Sequence, residues 1–487
     1  MITVSCPGCG AEVRFRSHAA VMAVCEFCLT GVLKDEAAVR NLGKIAEVLE
    51  DYSPIQLGAA GQLANRPFTV IGRIQLAYDA GLWNEWYLLF DDGANGWLGD
   101  ASGQYTITTV QDSSDTLPAF DALRPGNQYT VAGERYTAAD VRTARCTGGQ
   151  GELPFRVGAG WQAKVADLRT NNRFVTLDYS DGDKPLVYTG SAVTLEALGM
   201  QLLREDDAIL RSAGRYRGRL TKLDCPSCGA SLDYLPGMTA NLVCVGCQTQ
   251  LDAASPQIKV LRAGEGLAVV PTKLPLGTAG TLGNQPLTVI GVLRRADEDG
   301  ESWTEYLLFA PGRGFTWLVE TDEGWQRSEV LDEWPQWQDD KARLGSVAFR
   351  KRHDYTARVT YAAGAFNWRV QKGDQARVME FEHSQSSLAA EMTADELTWS
   401  RSTPVAFDQM KAWFPKQFGT TGSSRGVYGK LGAGGRYRGI AKGLIITTVV
   451  LNAIPLMFNF TRTFAFTVLA GLALYLPALF LDQSDKE

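Results

Sequence analysis

Histidine is scarce in this chain. Its 487 residues include only His18, His353 and His383. None has a counterpart in the internal repeat described below; His18, for example, meets Gly237 at the repeat offset. No H-E-x-x-H, no G-x-x-x-x-G-K-[ST] and no G-x-S-x-G in a strand-to-helix setting occurs. These absences remove the metalloprotease, phosphate-loop and nucleophile-elbow chemistries. Positive charge is also short. The net charge is −6, so the basic excess of a global nucleic-acid footprint is missing. No secretory signal precedes the first cysteines, which predicts a reducing compartment and thiolates rather than disulfides.

What the chain does have is cysteine in a fixed pattern. Cys6-Pro7-Gly8-Cys9-Gly10 is answered by Cys25-Glu26-Phe27-Cys28, and Cys225-Pro226-Ser227-Cys228-Gly229 by Cys244-Val245-Gly246-Cys247. The gap of two lets both sulfurs of one knuckle reach one ion, and two knuckles complete a tetrahedron. Fifteen residues separate the knuckles in both sets, enough for a short hairpin. This is zinc-ribbon spacing. We expect two structural zinc ions, each with a closed ligand set. The ninth cysteine, Cys146, is unpaired and reads as a small core residue. From Cys225 to Cys247 there is no Lys or Arg, and the first ribbon mixes Glu12, Arg14, Arg16 and Glu26. Phosphate binding needs local positive charge, so the ribbons argue against nucleic acid.

The four cysteines recur at an offset of 219, and so does the sequence after them. Asn65-Arg66-Pro67-Phe68-Thr69-Val70-Ile71-Gly72 returns as Asn284-Gln285-Pro286-Leu287-Thr288-Val289-Ile290-Gly291. Trp83-Asn84-Glu85-Trp86-Tyr87-Leu88-Leu89-Phe90 returns, one residue shorter, as Trp303-Thr304-Glu305-Tyr306-Leu307-Leu308-Phe309. Gly214-Arg215-Tyr216-Arg217-Gly218 reappears as Gly435-Arg436-Tyr437-Arg438-Gly439. The chain is a tandem duplication, and repeats must be recognised before a fold is argued. The paired Asn65/Asn284 and Glu85/Glu305, with their aromatic neighbours, either line a pocket or maintain the fold as a turn Asn and a strand-face Glu.

Taken in order, residues 1–33 form the first ribbon and 34–56 a connector. Asp35 to Asp51 is predicted to be a helix, with Val39, Leu42, Ile45, Ala46 and Leu49 on one face. Residues 57–211 are a β-rich body. Its strands include Thr69–Ile71 and Trp86–Phe90, and Phe174–Tyr179 forms a hairpin with Leu186–Tyr188 across Asp181-Gly182. A short helix is expected near Leu195–Leu203. Residues 212–252 hold a basic linker and the second ribbon. Residues 253–418 repeat the body, with strands at Thr288–Leu293, Glu305–Phe309, Ala357–Thr360 and Arg377–Phe381. Thr393-Ala394-Asp395-Glu396 has the capping-box pattern of a helix start. Each body reads as a small barrel or sandwich, so the fold class is mainly β within α+β.

Residues 419–442 are a Gly-rich basic linker without acidic residues. Gly443 to Phe460 and Phe464 to Leu481 are uncharged apolar runs of 18 residues each, separated by a loop with Arg462. A helix of that length spans about 27 Å, near the ~30 Å hydrocarbon thickness. Residues 443–481 therefore predict a two-helix transmembrane hairpin. Arg436, Arg438 and Lys442 flank it and place both termini in the cytoplasm, on the inner membrane.

The repeated body resembles the bacterial domain-of-unknown-function family 4178. The resemblance rests on Asn65-x-Pro67-x-Thr69-Val70-Ile71-Gly72, on Trp83-x-Glu85 with Tyr87-Leu88-Leu89-Phe90, and on their second-copy equivalents. The extra residue in the first copy is a departure between the two. The resemblance implies β-rich modules beside zinc ribbons, and membrane-linked systems with phage-shock-like and polyamine-synthase-like partners. It implies no catalytic residue. The expected function is a membrane-anchored, cytoplasm-facing scaffold or sensor that binds protein partners or a ligand without catalysis. The alternatives are an enzyme acting on polyamines or lipids through a pocket near Asn65 or Asn284, and ribbon-mediated nucleic-acid binding.

Overall fold

The computed structural model describes residues 2–34, 39–45, 48, 53–78, 81–101, 104–113, 115–157, 161–204, 221–234, 241–253, 259–262, 270–283, 285–310 and 314–419. The β-branched and aromatic runs of each copy form antiparallel strands that close on themselves. In the first copy the ring runs Arg66–Tyr78, Gly81–Phe90, Asn95–Ala101, Gln104–Gln111, Leu186–Val193, Arg173–Asp178, Gln162–Thr170 and Glu134–Leu153. The last strand is 20 residues long and closes the ring. Its first half pairs with Gln162–Thr170, and Cys146 to Gly151 pair back onto Arg66–Tyr78. Register shifts at Ala138/Asp140, Cys146/Gly148 and Val70/Gly72 supply the bends that closure needs.

The second copy closes in the same way. Its ring is Gln285–Ala296, Ser302–Ala310, Gly314–Thr321, Gly324–Val330, Leu397–Val405, Ser386–Met392, Gln375–His383 and Val347–Phe366. Val347–Phe366 is again 20 residues and pairs on both sides. Barrels of about eight strands leave an interior that side chains fill or that holds one small ligand. Two matching apolar clusters cover corresponding walls of the two barrels. Phe68, Val70, Trp86, Leu88, Phe90 and Leu98 pack under Ile55, Ala59 and Leu198. Their counterparts Leu287, Val289, Tyr306, Leu308 and Leu318 pack under Met410 and Phe414.

The cysteine-rich segments are built into these sheets. Ile2–Ser5 and Glu12–Phe15 form a separate hairpin, but Met22–Val24 pairs with Gly151–Leu153 and carries Thr30–Lys34 and Val39–Lys44 onto the barrel sheet. In the second copy Asn241–Val243 pairs with Gly364–Phe366 and carries Gln250–Asp252 and Lys259–Arg262. The modules also pack on each other, and residues up to Gly419 form one compact unit. The Trp334 N–H donates to the Asn171 carbonyl at 2.7 Å, and Arg142 reaches Glu396 at 3.3 Å. Ala139 of the first module is buried in a core cluster of the second.

Three local expectations are corrected. Val39–Lys44, inside the stretch expected to be helical from Asp35 to Asp51, is a strand. The open edge of Thr30–Lys34 offers it a ladder, while Gly43 at φ 85° breaks helical continuity. Thr393–Glu396 makes its cap bond, Glu396 N–H to Thr393 Oγ1 at 3.1 Å, yet the chain turns back into Leu397–Val405. Thr393 there closes a tight turn between two strands, which competes with helix initiation. Leu195–Leu203 is a succession of turns. The helices among the described residues are Phe407–Trp413 and Pro415–Phe418, beside a single 3-10 turn at Phe120–Ala122. The hairpin expected at 443–481 lies outside the described residues. Among the described residues no helix is long and apolar enough to cross a membrane.

Candidate metal centres and the barrel interiors

Each first knuckle turns through a glycine, Gly10 at φ 79° and Gly229 at φ 75°. Their N–H groups donate to the Cys6 and Cys225 carbonyls at 2.8 Å. Each second knuckle makes the same turn without glycine, through Leu29 at φ 58° and Gln248 at φ 61°. Such a φ is uncommon outside glycine, so packing and the ligand turn hold it. The Gly8 N–H points at Cys6 Sγ at 3.3 Å.

These turns gather the sulfurs. Cys6 Sγ lies 3.6 Å from Cys28 Sγ, and Cys9 Sγ lies 3.7 Å from Cys25 Sγ. Cys225 to Cys247 is 3.7 Å, and Cys228 to Cys244 is 3.6 Å. Within each set of four all sulfurs lie within 4.8 Å of one another. Thiolates about 2.3 Å from a tetrahedral ion are about 3.8 Å apart. Both sets fit one metal ion each, and four sulfurs are consistent with zinc. All eight cysteines named from the spacing are thus brought together in two groups of four.

The sequence reading missed two supporting hydroxyls. Thr30 Oγ1 lies 3.2 Å from Cys28 Sγ, and Thr249 Oγ1 lies 3.0 Å from Cys247 Sγ. The Thr30 hydroxyl and amide lower the Cys28 thiol to about 6. At Cys247 burial acts to raise the thiol, and the Thr249 hydroxyl and amide outweigh it and bring it to about 6. Hydrogen bonds to the thiolate favour the form a metal takes. The signal was present, because both threonines stand two residues after the last cysteine at the repeat offset. Cys146 takes no part. It is half-buried at a bulge, with its Sγ 3.4 Å from the Gly148 carbonyl, and burial raises its thiol. His18, His353 and His383 are all exposed.

The second place where polar groups converge is inside the barrels. Glu85 and Glu305 sit on the inward faces of matching strands. Trp83 Nε1–H donates to Glu85 Oε1 at 2.8 Å, and Trp303 Nε1–H to Glu305 Oε1 at 2.7 Å. In the second barrel, Arg295 reaches Glu391 at 2.9 Å and Glu305 at 3.6 Å. Strands Gln285–Ala296 and Ser386–Met392 share no ladder, so the Arg295–Glu391 contact crosses the interior. Tyr355 donates to Glu380 at 2.9 Å beside it, and its ring stands edge-on to Trp303 at 5.8 Å.

The first barrel has a different interior. Burial raises the Glu85 carboxyl to about 8, the Trp83 bond only partly opposing it, and Asp167, Asp100 and Asp178 add to the rise. Glu305 is also raised by burial, but Arg295 pulls it back. Asp167 is raised by burial and steadied by a 2.8 Å bond from Thr176. Glu85, Asp167, Asp178, Thr176 and Tyr188 all keep partial solvent access. Repetition marked Glu85 and Glu305 in sequence. Arg295, Glu391 and Asp167 were invisible there, because only barrel closure brings them near. Asn65, at φ 65°, is the tight turn between Ala60–Leu63 and Arg66–Tyr78. Asn284 lies outside the described residues.

No curated protein and no solved structure matches the chain. A family model does, over residues 56–195 and again over 275–407, which together are more than half of the chain. These two spans take in both rings of strands and leave both cysteine sets outside. The chain therefore belongs to the family described as Domain of unknown function (DUF4178), and carries two copies of its domain in tandem.

Proposed function

We propose that the protein is a membrane-tethered, cytoplasm-facing scaffold or sensor that presents two zinc-fastened β modules to protein partners without catalysis. The observation that carries this reading is the build of the cysteine sets. Each brings four sulfurs to tetrahedral spacing, and each continues directly into the sheet of its barrel. Four thiolates leave no open coordination position for a substrate, which supports a structural ion. Bound zinc would tie the outer hairpin to the strands that extend the barrel. The tether is supported by the apolar runs of residues 443–481 and the basic residues before them.

The test is cross-linking in membranes followed by pull-down, comparing the intact chain with a truncation before Gly439. We expect the intact chain in the membrane fraction with a defined set of cross-linked proteins, and the truncated chain in the soluble fraction with that set depleted. Equal partition of the two forms would overturn the tether. Turnover of a substrate by the purified chain, abolished by a point change in one barrel, would overturn the non-catalytic reading.

A further inference from the structure

We propose that the interior of the first barrel binds a small organic cation of guanidinium or alkylammonium type, with Glu85 as its counter-ion and Trp83 as its wall. The second barrel supplies the independent observation. Opposite Trp303 in the ladder stands Arg295, and opposite Trp83 stands Leu76. Both barrels keep the indole bond to the glutamate. In the second barrel the glutamate is faced by the chain's own guanidinium, which also bridges to Glu391. In the first barrel the carboxylate is kept and the guanidinium is replaced by an apolar side chain. One copy carries its cation covalently, and the other retains the groups that face one.

The surroundings agree. The charges acting most strongly on Glu85 are carboxylates: Asp167, Asp100 and Asp178. Arg169 and Arg142 are the cations that act on Asp167, and neither is among the groups acting most strongly on Glu85. Arg142 is held by Asp140 and Glu396 and lies over the Tyr78 ring at 3.9 Å, and Arg169 lies over the rings of Phe174 and Trp334. Trp83 stands edge-on to Tyr78 at 5.6 Å, as Trp303 does to Tyr355 at 5.8 Å. An aromatic wall beside a carboxylate attracts an organic cation through both ring face and charge.

The experiment titrates the full-length chain with millimolar guanidinium and methylammonium and follows the indole N–H resonances of Trp83 and Trp303, assigned with W83F and W303F. We expect a saturable shift of the Trp83 resonance while that of Trp303 stays put. Glu85→Gln should weaken the apparent affinity at least tenfold. Leu76→Arg, which installs the cation of the second barrel, should abolish the shift. In Arg295→Ala the Trp303 resonance should become responsive. Absence of a saturable Trp83 shift in the unaltered chain overturns the proposal. So does an affinity unchanged in Glu85→Gln, which retains the Trp83 acceptor and decides the matter even if Leu76→Arg fails to fold.

Discussion

Gly72 and Gly151 face each other across the seam where the first barrel closes. A Cβ on Gly72 would lie 1.9 Å from the Glu152 carbonyl oxygen, and one on Gly151 would lie 2.2 Å from that of Ile71. Gly151 also needs φ +66°. The second barrel has the same pair, Gly291 opposite Gly364, with Gly364 at φ +96° and its would-be Cβ 2.2 Å from the Ile290 carbonyl oxygen. At each seam one strand leaves the barrel to meet the cysteine-bearing hairpin. Gly151→Ala and Gly364→Ala combine a backbone clash with a left-handed φ, so each should cost about 2–4 kcal/mol in denaturant unfolding. Gly133→Asn, at φ +77° with open space around it, should stay within about 1 kcal/mol, since Asn tolerates that conformation.

Next to this seam, Glu152 ties the barrel to the first hairpin. Its Oε2 accepts the N–H groups of Arg16 at 2.7 Å and Ser17 at 2.9 Å, and the side chain is buried. Burial raises its carboxyl, opposed by those two N–H groups. Glu152→Ala leaves the buried Ser17 N–H and the part-buried Arg16 N–H without their acceptor and should cost about 1–3 kcal/mol. Hydrogen exchange should show faster exchange at Ser17 and across the hairpin Ile2–Ser5/Glu12–Phe15, with Arg173–Asp178 unchanged. Equal loosening of both regions would mean that Glu152 supports the barrel and not the junction.

The duplication made much of this legible in advance. Spacing alone assembled the eight cysteines, because a knuckle's geometry is local. The strands around Val70, Leu88, Val175, Val289 and Leu307 were legible because buried β-branched and aromatic runs have few other uses. Gly72 and Gly291 were visible as repeated letters, but their partners Gly151 and Gly364 fall at a different offset, so the seam was not. Barrel closure is long-range and left no local mark. The helix expected from Asp35 failed at Val39–Lys44 because an available sheet edge outweighed an amphipathic pattern of modest strength. Arg295 and Glu391 lie 96 residues apart in sequence, and only the closed ring makes them neighbours.

Two closed four-thiolate sites predict a stoichiometry. The purified chain should carry two zinc ions, and Cys25→Ser or Cys244→Ser should each reduce this to one by elemental analysis. Because the sets belong to different modules, the losses should be independent. A strong chelator should lower the melting temperature, and added zinc should restore it. Thr30→Val and Thr249→Val remove the hydroxyls beside Cys28 and Cys247, and should weaken zinc retention by about tenfold to a hundredfold in chelator competition. Retention of two ions by a single-cysteine variant would show that the fourth ligand is dispensable.

Glu85 gives the chain a pH dependence that its partner Glu305 does not share in full. A carboxyl raised in the folded state, here to about 8 from an ordinary 4.5, makes the folded chain bind more protons than the unfolded one between those pH values. Stability from this group is therefore largest at the acid end of that window and falls as pH rises towards 8. Glu85→Gln keeps an acceptor for Trp83 and removes the titration. The difference in melting temperature between variant and unaltered chain should favour the variant increasingly from pH 6 to pH 8. Taking the difference cancels the thiolate sites, which both proteins share. Glu305→Gln should behave differently. It strips Arg295 of one carboxylate inside the barrel and should destabilise the chain across the same range, since an enclosed guanidinium loses part of its compensation. A variant-minus-parent curve for Glu85→Gln that is flat with pH would place its carboxyl in the ordinary range and its charge in contact with water.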